Sequence, residues 1–332
     1  MRPKVKSSLF LLTLAGLGAC QDPVNPAPSP TPPEPQDPIA ALNADRERLV
    51  PLHAKLGPPK PNDWLARYHE PGQTFAEYLN CNPALPRGAR RTIYIQPLGD
   101  FTEPQRKIVE LSAEFMSRYF NLPVKIRADV PLSEIPARAR RVHPTWGDPQ
   151  ILSTHVLDHV LRPRLPDDAA AMIAFTASDL WPGEGWNFVF GQASLRDRVG
   201  VWSIYRNGDP ETEFRICLRR TLKTATHETG HMFSIQHCTA YECNMCGSNH
   251  REESDRHPLW LCPECVAKVV WATEDRLVPR YKRLAEFCEA HGLEREAAFY
   301  TNSARALVAQ RRSPFLRYAD GAPIQPHHPK PQ

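Results

Sequence analysis

The segment from His227 to Cys265, HETGHMFSIQHCTAYECNMCGSNHREESDRHPLWLCPEC, constrains this chain more than any other, because it sets histidines and cysteines at ligand spacings. His227 and His231 are four apart, so a helix turns both imidazoles onto one face. Zinc, at about 2.0–2.1 Å from each ring nitrogen, is the metal such a pair suits. Glu228 follows the first histidine directly. From there its carboxylate reaches a water on the metal without ligating the metal itself. Two histidines at this spacing also occur by chance on surface helices, so the third ligand decides the reading. The run Met232 to Gln236 leads to His237. Three imidazoles leave one position of a tetrahedron open for water, whose pKa the metal lowers toward about 7. Glu228 is then the residue to take the water's proton and later pass it to a leaving amine.

Cys238, Cys243, Cys262 and Cys265 follow as a CxxxxC and a CxxC pair. That spacing suits a closed four-cysteine zinc site. The expected cofactor is thus Zn2+, two per chain, one catalytic and one structural. Two disulfides among the same four cysteines are the rival reading, because thiols in an exported protein must bind metal before they oxidise. Cys81, Cys217, Cys246 and Cys288 remain, with room for one disulfide whose connectivity the sequence does not give. Cys246 reads as a small buried residue beside the site.

On these residues the chain resembles the archaemetzincins, metzincin-type zinc peptidases in which a cysteine follows the third histidine immediately. The likeness continues upstream through Asp179-Leu180-Trp181-Pro182 and WNFVFGQASLRDRVGVWSIYR, and weakly to IYIQPLGDF. It covers roughly Arg91 to Trp271. It implies an α+β, metzincin-like zincin domain: a twisted sheet with an edge strand, an active-site helix, and C-terminal helices stapled by the four-cysteine zinc site. It places Met245 in the Met-turn beneath the catalytic zinc, with the structural zinc close by. It also implies that Asn187 to Ala193 is the edge strand, pairing with an extended peptide through backbone hydrogen bonds; a plain core strand is the alternative for its side chains. One position departs from the family pattern. Ser234 stands where HExxHxxGxxH carries glycine. Serine at φ > 0 would cost about 1–2 kcal/mol, so a slightly altered turn is expected, with the site itself kept by metal binding.

Hydrophobic patterning supports an α+β class independently, with strands leading and the active-site helix following. Strands are expected at Arg91–Gln96, Pro123–Ala128, Ala170–Thr176, Asn187–Ala193 and Val199–Arg206. Helices are expected at Ile39–Leu56, after a Thr102 cap, at Gln150–Leu161, from Arg219 to about Phe233, and in three segments from Pro263 to Gln310. Tyr241 is a weak candidate for stabilising an oxyanion.

At the amino end, Arg2, Lys4 and Lys6 precede a short apolar run and Leu17-Gly18-Ala19-Cys20. This resembles a bacterial lipobox, with Cys20 as the lipidated residue. Residues 21–38, QDPVNPAPSPTPPEPQDP, lack core-forming groups and read as an extended tether. The expected organisation is 1–19 signal peptide, 20–38 tether, 39–90 N-terminal extension, 91–275 catalytic domain, 276–319 C-terminal helices and 320–332 tail. The expected location is the cell envelope, as an exported bacterial lipoprotein at the outer membrane or in the periplasm where there are two membranes. A formal net charge of +4 with interspersed signs gives no basic surface for nucleic acid, so nucleic acid is not an expected partner. The expected function is zinc-dependent peptide-bond hydrolysis by a monomer, as an endopeptidase or aminopeptidase acting on peptides or proteins. The alternative is a non-catalytic, membrane-tethered zinc protein that binds peptides; the intact Glu228 argues against it.

Overall fold

The computed structural model describes residues 37–194 and 196–309. The readings at Cys20, the signal peptide, most of the tether and the tail from Asp320 lie outside the described residues.

Helix α1 (Pro38–Leu49) gives way to a 3-10 turn at Val50–Leu52. The helix expected to reach Leu56 stops early because Pro51 has no N–H for a further helical bond. Beyond it, Leu56 N–H donates to Ala240 O and Glu242 N–H to Ala54 O, while Lys55 bridges Tyr241. Short helices α2 (Trp64–Arg67) and α3 (Phe75–Asn80) follow, the latter closed by a reciprocal Thr74–Glu77 cap.

Strand β1 (Thr92–Leu98) leads into α4 (Glu103–Phe120), which Thr102 caps with Gln105, with Pro104 in the first turn. Then come β2 (Val124–Ile126), β3 (Arg140–Val142), β4 (Pro149–Leu152) and one turn of helix, α5 (Ser153–His155), which continues as a π-helical turn through Leu161. The continuous helix expected from Gln150 is therefore corrected. Residues 150–152 pair with Asp179–Trp181 instead, and sheet pairing overrides the local helical pattern. Strands β5 (Ala169–Thr176), β6 (Asp179–Trp181), β7 (Gly191–Ala193) and β8 (Val199–Ser203) complete the sheets.

The main sheet has the order β2-β1-β5-β8-β7. Its first four strands are parallel, and β7 runs antiparallel at the edge. Every residue of β5 is buried, as its unbroken apolar run requires of a central strand covered on both faces. Ile173 and Phe175 face the cluster shared with α4 and α6 (Phe214–Met232). Met172 and Ala174 face Val156, Val160 and Leu161. Strand β7 is shorter than Asn187–Ala193. Its approach carries a single bridge, Val189 to Leu180, and Asn187 O accepts side-chain bonds from Gln150 and Arg141 rather than ladder bonds.

After α6 come α7 (Arg251–Arg256), α8 (Pro263–Thr273), α9 (Leu277–Ala290) and α10 (Glu294–Ala309). Among the described residues no helix is long and apolar enough to cross a membrane.

Candidate metal centre

Helix α6 runs beneath the sheet edge and carries His227, Glu228 and His231 in its last turns. Each of the three histidines has Nδ1 engaged. His227 Nδ1–H donates to Asn244 O at 2.7 Å, and His231 Nδ1–H donates to Ile235 O at 2.7 Å. His237 Nδ1 lies 2.8 Å from a Glu70 carboxylate oxygen. These bonds fix ring orientation and leave Nε2 of each ring for a metal. His227 Nε2 and His231 Nε2 are 3.0 Å apart, and one ligand nitrogen from each of the three rings lies within 4.8 Å of the others. A tetrahedron with bonds of about 2.0–2.1 Å has edges of roughly 3.3 Å, so the donor set fits zinc. Burial, then His231 and His237, hold His227 well below the ordinary imidazole range. Burial, then His237, bring His231 down to about 4. Both rings are therefore neutral near pH 7, the form that ligates a metal.

Glu228 is half-buried, and burial pushes its carboxyl up to about 8, a shift that the positive charge of a bound zinc opposes, favouring the carboxylate. It sits under the edge strand: a Cβ on Gly191 would stand 3.1 Å from Glu228 Cγ and 3.0 Å from Trp202 Cβ. Glycine there lets strand β7 lie against the Glu228 side chain without displacing it. Met245 lies against the same helix, because a Cβ on Gly230 would meet its Sδ at 2.7 Å. Met245 O also accepts from Cys238 N–H at 2.8 Å, which ties the Met245 turn to the segment just after His237.

Ser234 differs from the sequence expectation. The turn is not altered; Ser234 takes φ +64, the left-handed region that costs a residue with a Cβ about 1–2 kcal/mol. Its surroundings offset this. Ala84 N–H donates to Ser234 Oγ at 3.0 Å, and Tyr78 O–H donates to Phe233 O at 2.8 Å.

The cleft over the histidines has a volume of about 590 Å³ and is lined by Trp64, Tyr68, Phe188, Phe190, Gln192, Lys223, His227, Glu228, His231, His237 and His257, among others. Trp64 in that lining, and Glu70 bonded to His237 outside it, come from the N-terminal extension, and neither belongs to a motif. The Trp64 ring lies 5.2 Å from His237, edge to face. Its backbone is held by α7: the Trp64 backbone N–H donates to a Glu253 carboxylate oxygen at 2.8 Å, and Asp63 pairs with Arg256 at 2.6 Å. Burial raises the Glu70 carboxyl, but its hydrogen bond and charge pairing with His237 outweigh that and hold it below the usual range. Lys223 Nζ donates to Ser254 O and His257 O, and burial pulls its ammonium down to about 7. Tyr241 is buried, its ring 3.7 Å from the Lys55 ammonium, and does not line the cleft. That geometry removes it as an oxyanion partner.

Cys238, Cys243, Cys262 and Cys265 converge with all four sulfurs within 4.8 Å of one another. Cys238 Sγ and Cys262 Sγ are 3.6 Å apart. A tetrathiolate zinc site with bonds of about 2.3 Å has sulfur–sulfur edges of roughly 3.8 Å, so this donor set also fits zinc. Backbone N–H groups of Cys262 and Met245 point at Cys243 Sγ, at 3.2 and 3.4 Å. All eight described cysteines are free thiols, including Cys81, Cys217, Cys246 and Cys288.

Comparison with known proteins gives consistent matches. The family model for peptidase family M54 matches residues 166–270. Archaemetzincin-2 of Homo sapiens is 33% identical over 292 residues, covering 75% of this chain and 80% of that protein. Archaemetzincin-2 of Rattus norvegicus is 33% identical over 264 residues, covering 69% and 72%. Among solved structures, archaemetzincin from Archaeoglobus fulgidus, complexed with malonate, is 29% identical with a TM-score of 0.43, and the match covers 53% of this chain and 99% of that one.

Proposed function

Because this chain belongs to the archaemetzincins, peptidase family M54, and is a zinc metallopeptidase by that membership, we propose that it hydrolyses peptide bonds at His227, His231 and His237 with Glu228 as its proton carrier. One observation carries the assignment: three imidazoles, each oriented through Nδ1, converge in a cleft that also holds one uncommitted carboxylate. Zinc bound there supplies a Lewis acid that acidifies water and polarises a carbonyl. Glu228 takes the proton from the attacking water and returns it to the departing amine nitrogen. The edge of β7 orients an extended peptide by backbone hydrogen bonds, beside Glu228 as the Gly191 approach allows. Trp64, Phe188 and Phe190 wall the cleft and exclude water from the reacting centre. Met245 supports the histidine helix from below as the Met-turn residue. Cys238, Cys243, Cys262 and Cys265 hold a second, structural zinc. Cys20 anchors the enzyme in the cell envelope through a lipid, with residues 20–38 as the tether.

The test is digestion of a mixed peptide library by the zinc-loaded protein, read by mass spectrometry, with Glu228→Ala as control. Products that vanish in the control carry the reading, and the positions of the cuts separate endopeptidase from aminopeptidase action. A folded, zinc-loaded wild type that cuts nothing would leave the peptide-binding alternative.

A further inference from the structure

Lys223 stands one helical turn before His227 on α6. Lys223, His227 and His231 therefore form one stripe along the helix. Lys223 is 7% exposed, yet it lines the cleft. Its ammonium donates to Ser254 O and, at 2.6 Å, to His257 O. A lysine carries three N–H donors, so one is left over. Among the described residues no carboxylate takes it. Asp255 is held by Arg220 through both oxygens, at 3.0 and 2.6 Å. Glu242 lies 2.9 Å from His257 Nδ1 and is engaged there. A cation taken out of water without an anion is destabilising. An incoming carboxylate offsets that and favours the ammonium form.

The cleft around Lys223 carries the same sign. Among the described residues that line it the cations are Lys223 and Arg67, and Glu228, the proton carrier, is the sole carboxylate. Thr224, Asn244, Ser254 and His257 share the lining with Lys223, and Asn244 O is the acceptor for His227 Nδ1–H. This polar wall thus adjoins the first metal-ligand candidate. A cleft lined by one sign of charge concentrates ligands of the other, and a buried donor left without a partner selects against ligands that lack the matching group. Four residues of helix span about 6 Å, and an extended peptide advances about 3.4 Å per residue. A carboxylate at Lys223 therefore belongs to a residue within roughly two positions of a carbonyl held at His227.

We propose that Lys223 anchors a carboxylate of the substrate close to the bond that is cut, which makes an acidic side chain or a free C-terminus there a determinant of specificity. This rests on the peptidase reading given above. Lys223 also ties down the end of α7 through its two carbonyl bonds. A lysine that did nothing else would be indifferent to the charge of the substrate.

The zinc-loaded full chain tests it at pH 7, with peptide pairs that differ by one charge and almost nothing in shape. One set scans Glu against Gln along a C-terminally amidated peptide; the other compares free acid with amide at the C-terminus. The expected result is kcat/KM at least about tenfold higher for the acid, confined to positions near the cut, and the set that responds names the source of the carboxylate. Lys223→Gln keeps N–H donors for the two carbonyls and loses the charge. Its acid-to-amide ratio should fall below about threefold, whatever its absolute rates. Lys223→Met takes its place if it does not fold, and the wild-type ratios decide alone if neither folds. A wild type that cuts acid and amide alike overturns the anchor and leaves the peptidase standing. A Lys223→Gln ratio equal to that of wild type does the same. If the wild type cuts nothing, the peptidase reading falls by itself, and calorimetric binding of the same pairs decides the anchor: tighter binding of the acid by about tenfold supports it, and equal binding overturns it.

Discussion

His237 and Glu70 meet across 167 positions of chain, Nδ1 to carboxylate oxygen at 2.8 Å. The C-terminal member lies just past the helix that supplies the other two imidazoles. The N-terminal member lies in the extension before the first strand. The third imidazole is therefore oriented by a segment outside the catalytic motif.

Replacing that carboxylate should loosen the metal rather than the fold. Glu70→Gln keeps shape but weakens the charge-assisted bond to His237. The expected loss is about 10–100-fold in zinc affinity at the histidine site, read by chelator competition, with binding at the four cysteines unchanged. Wild-type affinity would show that His237 needs no such partner.

Gly191 tests how closely the edge strand must approach Glu228. An added Cβ would press on Glu228 Cγ at 3.1 Å. In Gly191→Ala Glu228 must give by a few tenths of an ångström, so we expect kcat to fall several-fold, short of the roughly 100-fold that accompanies misplacement by about 1 Å, with zinc content unchanged. An unchanged kcat would mean that the carboxylate has room to move.

Ser234 should separate the two terms that balance at its turn. Ser234→Gly relieves about 1–2 kcal/mol of left-handed strain but loses the bond from Ala84 N–H and adds chain entropy of about 0.5–1 kcal/mol. The variant should stay within about 1 kcal/mol of wild type. Ser234→Ala keeps the strain and loses the acceptor, and should cost about 1–3 kcal/mol. Denaturant melts of the zinc-loaded proteins decide; equal stability of Ser234→Ala and wild type would contradict this account.

Lys223 gives a pH dependence with a definite sign. Its folded pKa, about 7, lies below the ordinary lysine value of 10.5. Between these values the unfolded chain binds the extra proton, so wild type should gain stability relative to Lys223→Met as pH rises from 7 toward 10.5. The slope is at most about 1.4 kcal/mol per pH unit, and it vanishes below 7. Melts of both proteins at successive pH values measure it. A difference independent of pH would mean that the ammonium stays charged in the fold.

The sequence by itself determined the parts that local geometry dictates. His227 and His231 share a helix face because a helix repeats every 3.6 residues. Thr102 caps α4 because its hydroxyl is within reach of the N–H three residues on. Residues 169–176 are a central strand because an unbroken apolar run has to be covered on both faces. The family likeness rested on the same local spacings. Only the tertiary structure decided what depends on distant chain. Residues 150–152 became strand because β6 was there to pair with. Ser234 kept a left-handed turn because Ala84, from the N-terminal extension, donates to its hydroxyl. Glu70 reached His237, and Arg280 was buried over Tyr119. Hydrogen bonds and ion pairs act over a few ångströms, whereas these partners are separated by tens to hundreds of residues. No period or spacing along one chain records which remote groups folding will bring within that range.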